Sequence, residues 1–287
     1  MSSIVQHHPR RFHTFHYVYP VVSRRSGGLS IGVNLSPTAL CNFSCVYCQV
    51  LAENQENAAR NAHAATLIDS DLLETELRQL IGMVNDGSLF RNTWLSRTPL
   101  EKRILRDIAF SGDGEPTLSP QFSKIVQGVA DLRREICTET TKIVLITNAS
   151  TLHRQSVTNT LKTLLADNGE IWAKLDAGTA DYFRTVSRSA IPYEKILTNL
   201  TEFSKTNPVV IQSCFALLHN KEPDNEEIRQ YAERLKLLGQ VQRVQIYTVA
   251  RLAPESWVLP LSNEQLDRIT ETVRKITALP VDSFYSA

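Results

Sequence analysis

Three cysteines stand close together early in the chain, at Cys41, Cys45 and Cys48, with the spacing C-x3-C-x2-C. Thiolates this close in sequence can each ligate one iron of a cubane [4Fe–4S] cluster. Such a cluster normally takes four cysteines, so three of them leave one iron open to a small molecule. The triplet therefore predicts an iron–sulfur cluster with one accessible iron.

Zinc is the main alternative ligand of this triplet, because it also binds clustered thiolates. A structural zinc site needs a fourth ligand, and the candidates are His63 and the group His7, His8, His13 and His16. Disulfides are not expected, since five cysteines are an odd number and three of them fall within eight positions.

The composition indicates one sizeable α/β core, with 287 residues of which 42% are hydrophobic. A net charge of +1 does not indicate a nucleic-acid surface, and we interpret Arg24-Arg25 and Arg133-Arg134 as solvated pairs. No stretch has the apolar length of a membrane span, and residues 1–10 lack the apolar core of a signal peptide. We therefore expect a cytoplasmic protein without a membrane partner, where the thiols stay reduced.

Strand and helix patterns alternate along the chain. Residues 29–35 alternate with period two, Ser36-Pro37 ends this strand, and the cysteine loop follows directly. Further strands are predicted over 107–110, 142–146, 170–175, 209–217 and 241–249, and helices over 69–84, 121–136, 155–166, 192–205, 224–238 and 263–279. This alternation predicts parallel strands with right-handed crossovers, in either an open sheet or a barrel.

Polar residues follow the predicted strands, where ligands of parallel α/β folds bind. Gly112 and Gly114 after the second strand let the backbone approach a ligand closely, although a plain turn explains them too. Thr147-Asn148 ends the third strand, either as a turn or as a polar ligand contact.

The later strands carry polar residues on shared faces. Lys174 and Asp176 lie two residues apart and therefore face the same side, as a buried ion pair or as ligand contacts. Gln212 and Cys214 share a face of the fifth strand, where Cys214 is interpreted as a small buried residue. Tyr247 lies near the end of the sixth strand and either stacks on a ligand or packs in the core.

The cysteine run, with Tyr47 just before the last cysteine, resembles the cluster loop of the radical S-adenosylmethionine (SAM) superfamily. Residues 111–117, Ser-Gly-Asp-Gly-Glu-Pro-Thr, resemble the "GGE" element that holds the amino group of SAM there. The resemblance implies an α/β fold, a partial (β/α)6 TIM-like barrel of parallel strands with the cluster loop after the first strand. It implies two cofactors, a [4Fe–4S] cluster on Cys41, Cys45 and Cys48, and SAM held by Gly112, Asp113, Gly114, Glu115, Thr147, Asn148, Lys174, Asp176, Gln212 and Tyr247.

The same resemblance implies an enzyme that cleaves SAM reductively to methionine and a 5′-deoxyadenosyl radical, which abstracts hydrogen from a substrate. A flavodoxin or ferredoxin is the implied electron donor. The substrate itself is not assigned, with tRNA and protein as the leading macromolecular candidates. No catalytic side chain is assigned. The domain organisation implied is an N-terminal extension over 1–27, the barrel over 28–260 and a helix packing on it within 261–287.

Within the superfamily, the chain is most similar to the group related to wyosine-type tRNA-modifying synthases. The residues that carry this likeness are Tyr19-Pro20, Arg24-Arg25, 41–49, 111–118, 174–178 and 245–251. Three further readings of the chain stay open: an activase for a glycyl-radical enzyme, a barrel whose cluster serves only electron transfer or structure, and a non-catalytic zinc-binding module.

Overall fold

The computed structural model describes residues 12–49, 67–91, 93–111, 113–251 and 253–286. Ten strands are present in this part of the chain: β1 (Val18–Ser23), β2 (Gly28–Val33), β3 (Leu105–Phe110), β4 (Lys142–Thr147), β5 (Gly169–Lys174), β6 (Val209–Cys214), β7 (Leu217–Leu218), β8 (Val241–Tyr247), β9 (Val258–Leu259) and β10 (Val281–Phe284). Its α-helices are α1 (Ser70–Asn85), α2 (Phe122–Ile136), α3 (Gln155–Ala166), α4 (Ala180–Ser187), α5 (Tyr193–Ser204), α6 (Asn225–Lys236) and α7 (Asn263–Thr277).

Eight strands form one curled sheet in the order β1-β2-β3-β4-β5-β6-β8-β10. All neighbours from β2 to β10 pair in parallel, and β1 pairs antiparallel with β2. Strands β2 and β6 are buried along their whole length, as expected for parallel strands that are covered on both faces. The predicted partial barrel of parallel strands is therefore confirmed, with the cysteine loop directly after β2.

Two strands of this sheet were not predicted from the sequence. Strand β1 contains Pro20, which an edge strand tolerates because one side of it has no ladder to complete. Strand β10 follows α7 and pairs in parallel with β8 at the opposite edge. The division of the chain at residues 27 and 260 stays a prediction.

The arginine pair in the last turn of α2 is solvated only in part. Arg133 is buried, and its Nη2 lies 2.5 Å from Asp167 Oδ1. Arg134 is half-exposed, and its Nη1 lies 2.9 Å from the other oxygen of the same carboxylate. The interpretation of this pair as solvated is therefore wrong for Arg133, because the helix end packs against the turn that carries Asp167.

A buried carboxyl on the sheet gives a testable pH dependence. Asp107 on β3 accepts a hydrogen bond from Ser30 Oγ at 2.5 Å, and burial raises the pKa of Asp107 above its ordinary value of 3.8. The folded state thus holds this proton more tightly than the unfolded state. The carboxyl therefore lowers stability as pH rises from 3.8 through its folded pKa.

We expect Asp107→Asn to gain stability relative to the unmodified chain as pH rises from about 4 to 7, in urea unfolding followed by circular dichroism. Asp86→Asn is the control of opposite sign, because hydrogen bonds from Ser88 lower the pKa of Asp86. That variant should lose relative stability as pH rises through the lowered pKa of Asp86 towards 3.8, and should change little between about pH 5 and 7. A constant difference between Asp107→Asn and the unmodified chain would show that Asp107 does not titrate in this way.

Candidate functional site

The cysteine loop is folded by its own polar residues as it leaves β2. The amide of Ser36 donates to Asn34 Oδ1 at 2.9 Å, and the amide of Leu40 donates to Ser36 Oγ at 2.5 Å. These two bonds close the chain into turns, so that Cys41 stays at the carboxyl end of the sheet. This is the end at which parallel α/β folds bind their ligands.

The middle of the loop is held by the end of α4, a helix that the sequence analysis did not predict. The amides of Ser44 and Val46 donate to the carbonyls of Ser187 and Val186 at 3.0 and 2.9 Å. The last carbonyls of a helix have no partner inside it, so the loop completes the helix while the helix fixes the loop. The loop is therefore anchored to the barrel on both sides of Cys45.

The three cysteine thiols are half-buried neighbours. Burial raises the pKa of Cys41 to about 12, with Glu115 and Cys48 adding to the effect. Burial also raises the pKa of Cys45 above its usual range, with Asp176 and the other two thiols adding to the effect. Ionised thiolates here need a compensating cation, which the irons of a cluster provide, and thiolates are the usual ligands of iron–sulfur clusters. The donor set therefore fits the group that the resemblance implies.

Zinc is the competing ligand for these thiols. Among the described residues, no three His, Cys, Asp or Glu side chains are gathered so as to hold one metal ion. A cubane offers each thiolate a separate iron, so its ligands need not converge on one point. Of the histidines considered as a fourth zinc ligand, His13 and His16 are exposed, and His7, His8 and His63 lie outside the described residues.

The glycine-rich segment after β3 packs directly on the cysteine loop. Gly114 has φ +90°, and a Cβ there would lie 2.2 Å from the carbonyl oxygen of Leu40, next to Cys41. The amide of Glu115 donates to this same carbonyl at 2.9 Å, and Asn34 Nδ2 donates to Asp113 Oδ2 at 3.1 Å. Gly112 lies outside the described residues. The structure thus brings the predicted "GGE"-like segment against the predicted cluster loop.

We expect Gly114→Ala to destabilise the fold by roughly 1–3 kcal/mol, because a side chain at positive φ is strained and this one meets the Leu40 carbonyl. Gly128→Ala is the matched control, since that glycine lies in α2 with nothing within 4 Å of a new Cβ. It should stabilise the chain by about 0.5–1 kcal/mol. Guanidinium unfolding measures both, and equal effects of the two variants would contradict this account.

Glu115 joins two strand ends to each other. Its buried carboxylate accepts from Thr117 Oγ1 at 2.6 Å, Thr147 Oγ1 at 2.7 Å and the amide of Asn148 at 2.7 Å, and also from the amide of Thr117. Burial raises the pKa of Glu115, although these bonds partly offset that effect. Since the carboxylate already accepts four protein hydrogen bonds, we expect backbone groups of this segment to carry its predicted contact with SAM.

Asn148 reaches the cysteine loop from the end of β4. Its Nδ2 donates to Asn42 Oδ1 at 2.8 Å and lies 3.9 Å from Cys41 Sγ. Asn42 Nδ2 in turn donates to Ser150 Oγ at 2.8 Å. Asn148, predicted either as a turn or as a ligand contact, therefore lies at the first cysteine.

The predicted pair at the end of β5 is a buried ion pair, with Lys174 Nζ 2.8 Å from Asp176 Oδ1. Asp176 Oδ2 accepts from Tyr47 Oη at 2.5 Å, and Oδ1 accepts from the amide of Cys214 at 2.8 Å. Lys174 Nζ also donates to Tyr247 Oη at 2.5 Å. Tyr47 belongs to the cysteine loop, so this network ties the loop to three strand ends.

An arginine from the β1–β2 turn crosses the lumen of the barrel. Arg25 Nη1 donates to Gln212 Oε1 at 3.1 Å, and its guanidinium carbon lies 5.0 Å from the centre of the Tyr247 ring. Gln212 is fully buried and donates from Nε2 to Gln245 Oε1 at 2.7 Å. The sequence interpretation of Arg24-Arg25 as a solvated pair is therefore wrong, because the curl of the sheet turns this hairpin inward.

A cavity of about 250 Å³ lies beside Tyr47, Cys48 and Gln49. Tyr247 lines it, as do residues of the β1–β2 hairpin. Of the predicted SAM contacts, Gly114, Glu115, Thr147 and Asn148 gather at the Cys41 side of the loop. Lys174, Asp176, Gln212 and Tyr247 gather in the lumen, so the structure divides the predicted contacts into two groups.

No family model matches this chain. It is 28% identical over 230 residues to UPF0026 protein slr1464 of Synechocystis sp., covering 78% of this chain and 72% of that protein. It is 26% identical over 259 residues to UPF0026 protein MJ1312 of Methanocaldococcus jannaschii, covering 90% of this chain and 70% of that protein. A protein named GTPase Obg of Brachyspira hyodysenteriae is 24% identical over 268 residues. The match covers 92% of this chain but only 34% of that protein's length.

Solved structures share the fold at low sequence identity. A radical SAM methyltransferase from Sphaerobacter thermophilus matches with a TM-score of 0.63 at 13% identity, over 93% of this chain and 69% of that one. The chain has the partial-barrel fold of radical SAM enzymes. TYW1 with a lysine–pyruvate adduct bound matches with a TM-score of 0.54 at 15% identity, over 87% of this chain and 74% of that one. Streptococcus suis SuiB bound to S-adenosylmethionine matches with a TM-score of 0.52 at 14% identity, over 91% of this chain and 48% of that one.

A helix that crosses a lipid bilayer must be both long and apolar. None of the described helices combines the two properties.

Proposed function

We propose that this protein is a radical SAM enzyme, in which Cys41, Cys45 and Cys48 hold a [4Fe–4S] cluster and SAM binds at the open iron. One observation carries the proposal. The loop of the three cysteines lies at the carboxyl end of the strands, with Gly114 against Leu40 and Asn148 beside Cys41, in a barrel that radical SAM enzymes share.

Reduced by one electron, such a cluster supplies the electron that cleaves SAM into methionine and a 5′-deoxyadenosyl radical. This chain's residues provide the setting for that chemistry. Asp176 fixes Tyr47, and therefore the loop, through a 2.5 Å hydrogen bond. Lys174 and Asp176 form a buried ion pair beside the loop, and on the Cys48 side of the loop a ligand bound in the cavity would exclude water from a reactive radical.

The remaining assignments belong to the same proposal. Backbone groups of 112–115, with Thr147 and Asn148, contact the amino-acid part of SAM, and Lys174, Asp176, Gln212 and Tyr247 line the lumen around its other end. A flavodoxin or ferredoxin in the cytoplasm delivers the electron. The substrate itself is not assigned: the likeness to the wyosine-type group makes tRNA one candidate, and a protein is another.

The test begins with anaerobic reconstitution of the full-length protein, followed by iron, sulfide and zinc analysis. The protein is then reduced with dithionite and mixed with SAM, and 5′-deoxyadenosine is quantified by liquid chromatography. We expect iron and sulfide in the ratio of a cubane and 5′-deoxyadenosine above a protein-free control. Zinc without iron would instead favour the non-catalytic zinc-binding module.

The same preparation distinguishes a structural cluster, a base-modifying enzyme and an activase from one another. An intact cluster without SAM cleavage, even when RNA and protein extracts are added, would favour an electron-transfer or structural cluster. A rise in 5′-deoxyadenosine with tRNA would point to base modification. A rise with a protein fraction, together with a glycyl radical signal in electron paramagnetic resonance, would point to an activase.

A further inference from the structure

The cavity beside the cysteine loop has three sides. One is the end of β1 with the turn that follows it, another is the segment 248–251 after β8, and the third is Tyr47, Cys48 and Gln49. It therefore lies on the Cys48 side of the loop. The segment of Gly114 contacts the opposite side, at Leu40.

The walls of this cavity carry positive charge. Arg24, Arg25 and Arg251 line it, and no Asp or Glu is among the described residues that do so. Three guanidinium groups without a carboxylate in the same wall raise the local concentration of anions. Guanidinium groups also match phosphate and carboxylate oxygens in shape, because their N–H groups form a planar fork.

Arg24 holds a buried donor for which the described part of the chain offers no acceptor. Its Nη1 is removed from solvent and has no hydrogen-bond partner among the described residues. Buried N–H groups are normally paired, and an unpaired one is unfavourable. Burial, with the neighbouring charge of Arg25, lowers the pKa of Arg24, so its charged form also lacks sufficient compensation. An anionic oxygen in the cavity would satisfy both needs.

Arg25 is held in place before any ligand arrives. Gln212 accepts from its Nη1, and its guanidinium lies over the rings of Tyr247 and Trp172, 5.0 and 5.8 Å from their centres. A fixed fork loses little conformational freedom when it binds an anion. This part of the wall is therefore pre-organised.

We propose that this cavity, called here the arginine cavity, binds the phosphate or carboxylate group of a small organic substrate. The bound group would hold the rest of that molecule against the cysteine loop at Cys48. A volume of about 250 Å³ lies just below the roughly 300–1,000 Å³ of drug-sized pockets, so the cavity has room for a small metabolite-sized group only. The proposal rests on the proposed function, since radical chemistry at the loop is what makes the bound molecule a substrate.

The experiment titrates inorganic phosphate and, separately, malonate into the full-length reconstituted protein by isothermal titration calorimetry. We expect at least one of them to bind, and the preferred one identifies the group as phosphate or carboxylate. Arg24→Gln should weaken this binding about tenfold or more. Arg229→Gln is the matched control, because Arg229 is an exposed residue of α6 paired with Glu226, and it should leave the affinity unchanged.

Several outcomes would overturn the arginine cavity. They are no binding of either anion to the folded protein, equal affinity in Arg24→Gln, loss of anion binding when SAM is added, and Arg24-dependent binding of a short RNA instead of the small anions. Circular dichroism checks that Arg24→Gln is folded, and if it is not, Arg251→Gln takes its place with the same expected loss.

Measuring 5′-deoxyadenosine in the same preparations keeps the two proposals apart. SAM cleavage without anion binding would refute the arginine cavity and leave the proposed function standing. Anion binding that depends on Arg24, without SAM cleavage under any condition, would support the site and contradict the proposed function.

Discussion

Cys45→Ala should reduce 5′-deoxyadenosine formation to the level of the protein-free reaction and prevent stable cluster assembly. Cys45 lies in the middle of a loop whose backbone is hydrogen-bonded to Val186, Ser187 and Ser189, so the loop is held in place and cannot readily rearrange to bring another ligand there. Three thiolates are already fewer than the four that such clusters usually have. Iron analysis and the absorbance of the cluster measure the assembly directly.

Cys137→Ala is the control for this variant. Cys137 follows the last residue of α2 and is half-buried, and it takes no part in the cysteine loop. It should retain both iron and SAM cleavage. Full iron content and full activity in Cys45→Ala would show that the three cysteines are not the cluster site, and would thereby refute the proposed function.

Asp176→Ala should destabilise the protein by about 3–5 kcal/mol, the usual effect of removing one partner of a buried ion pair. Burial alone would lower the pKa of Lys174, but the Asp176 carboxylate, with further help from Tyr247, raises it. Without Asp176, the lysine is left charged and buried, and the Tyr47 hydroxyl and the Cys214 amide lose their acceptor. Guanidinium unfolding at neutral pH measures the loss.

Two further variants make this prediction specific to the buried pair. Glu202→Ala removes an exposed partner of Lys205 on α5 and should change stability by no more than about 0.5 kcal/mol. Lys174→Met combined with Asp176→Leu removes both charges, so it should be more stable than Asp176→Ala alone. If the double variant were no more stable, the stranded lysine would not be the cause of the loss.

The parallel core was predictable because its signals are local. The period-two pattern over 29–35 and the Ser36-Pro37 stop predict a strand that the structure places at Gly28–Val33. Helical spacing over 155–166 predicts α3 with the same bounds. The two-residue separation of Lys174 and Asp176 predicts one shared face, and the two side chains do form an ion pair.

The edges of the sheet were not predictable in the same way. Strand β1 becomes a strand by pairing with β2, and β10 by pairing with β8, which precedes it by a whole helix. Helix α4 has only eight residues and was missed between the fourth predicted strand and the helix predicted after it. Such short elements depend on the surfaces they meet, and their own propensities are too weak to identify them.

The sequence by itself determined the chemical groups of the site and their order along the chain: three closely spaced thiols after the first parallel strand, a glycine turn after the next, and a Lys–Asp face later on. Only the tertiary structure decided which groups meet. In the folded chain, Gly114 packs on Leu40, and Tyr47 donates a hydrogen bond to Asp176. Arg24 and Arg25, expected as a solvated pair, line the wall of a cavity. The reason is that spacing fixes the face of a strand, whereas contacts across a barrel depend on how far the whole sheet curls.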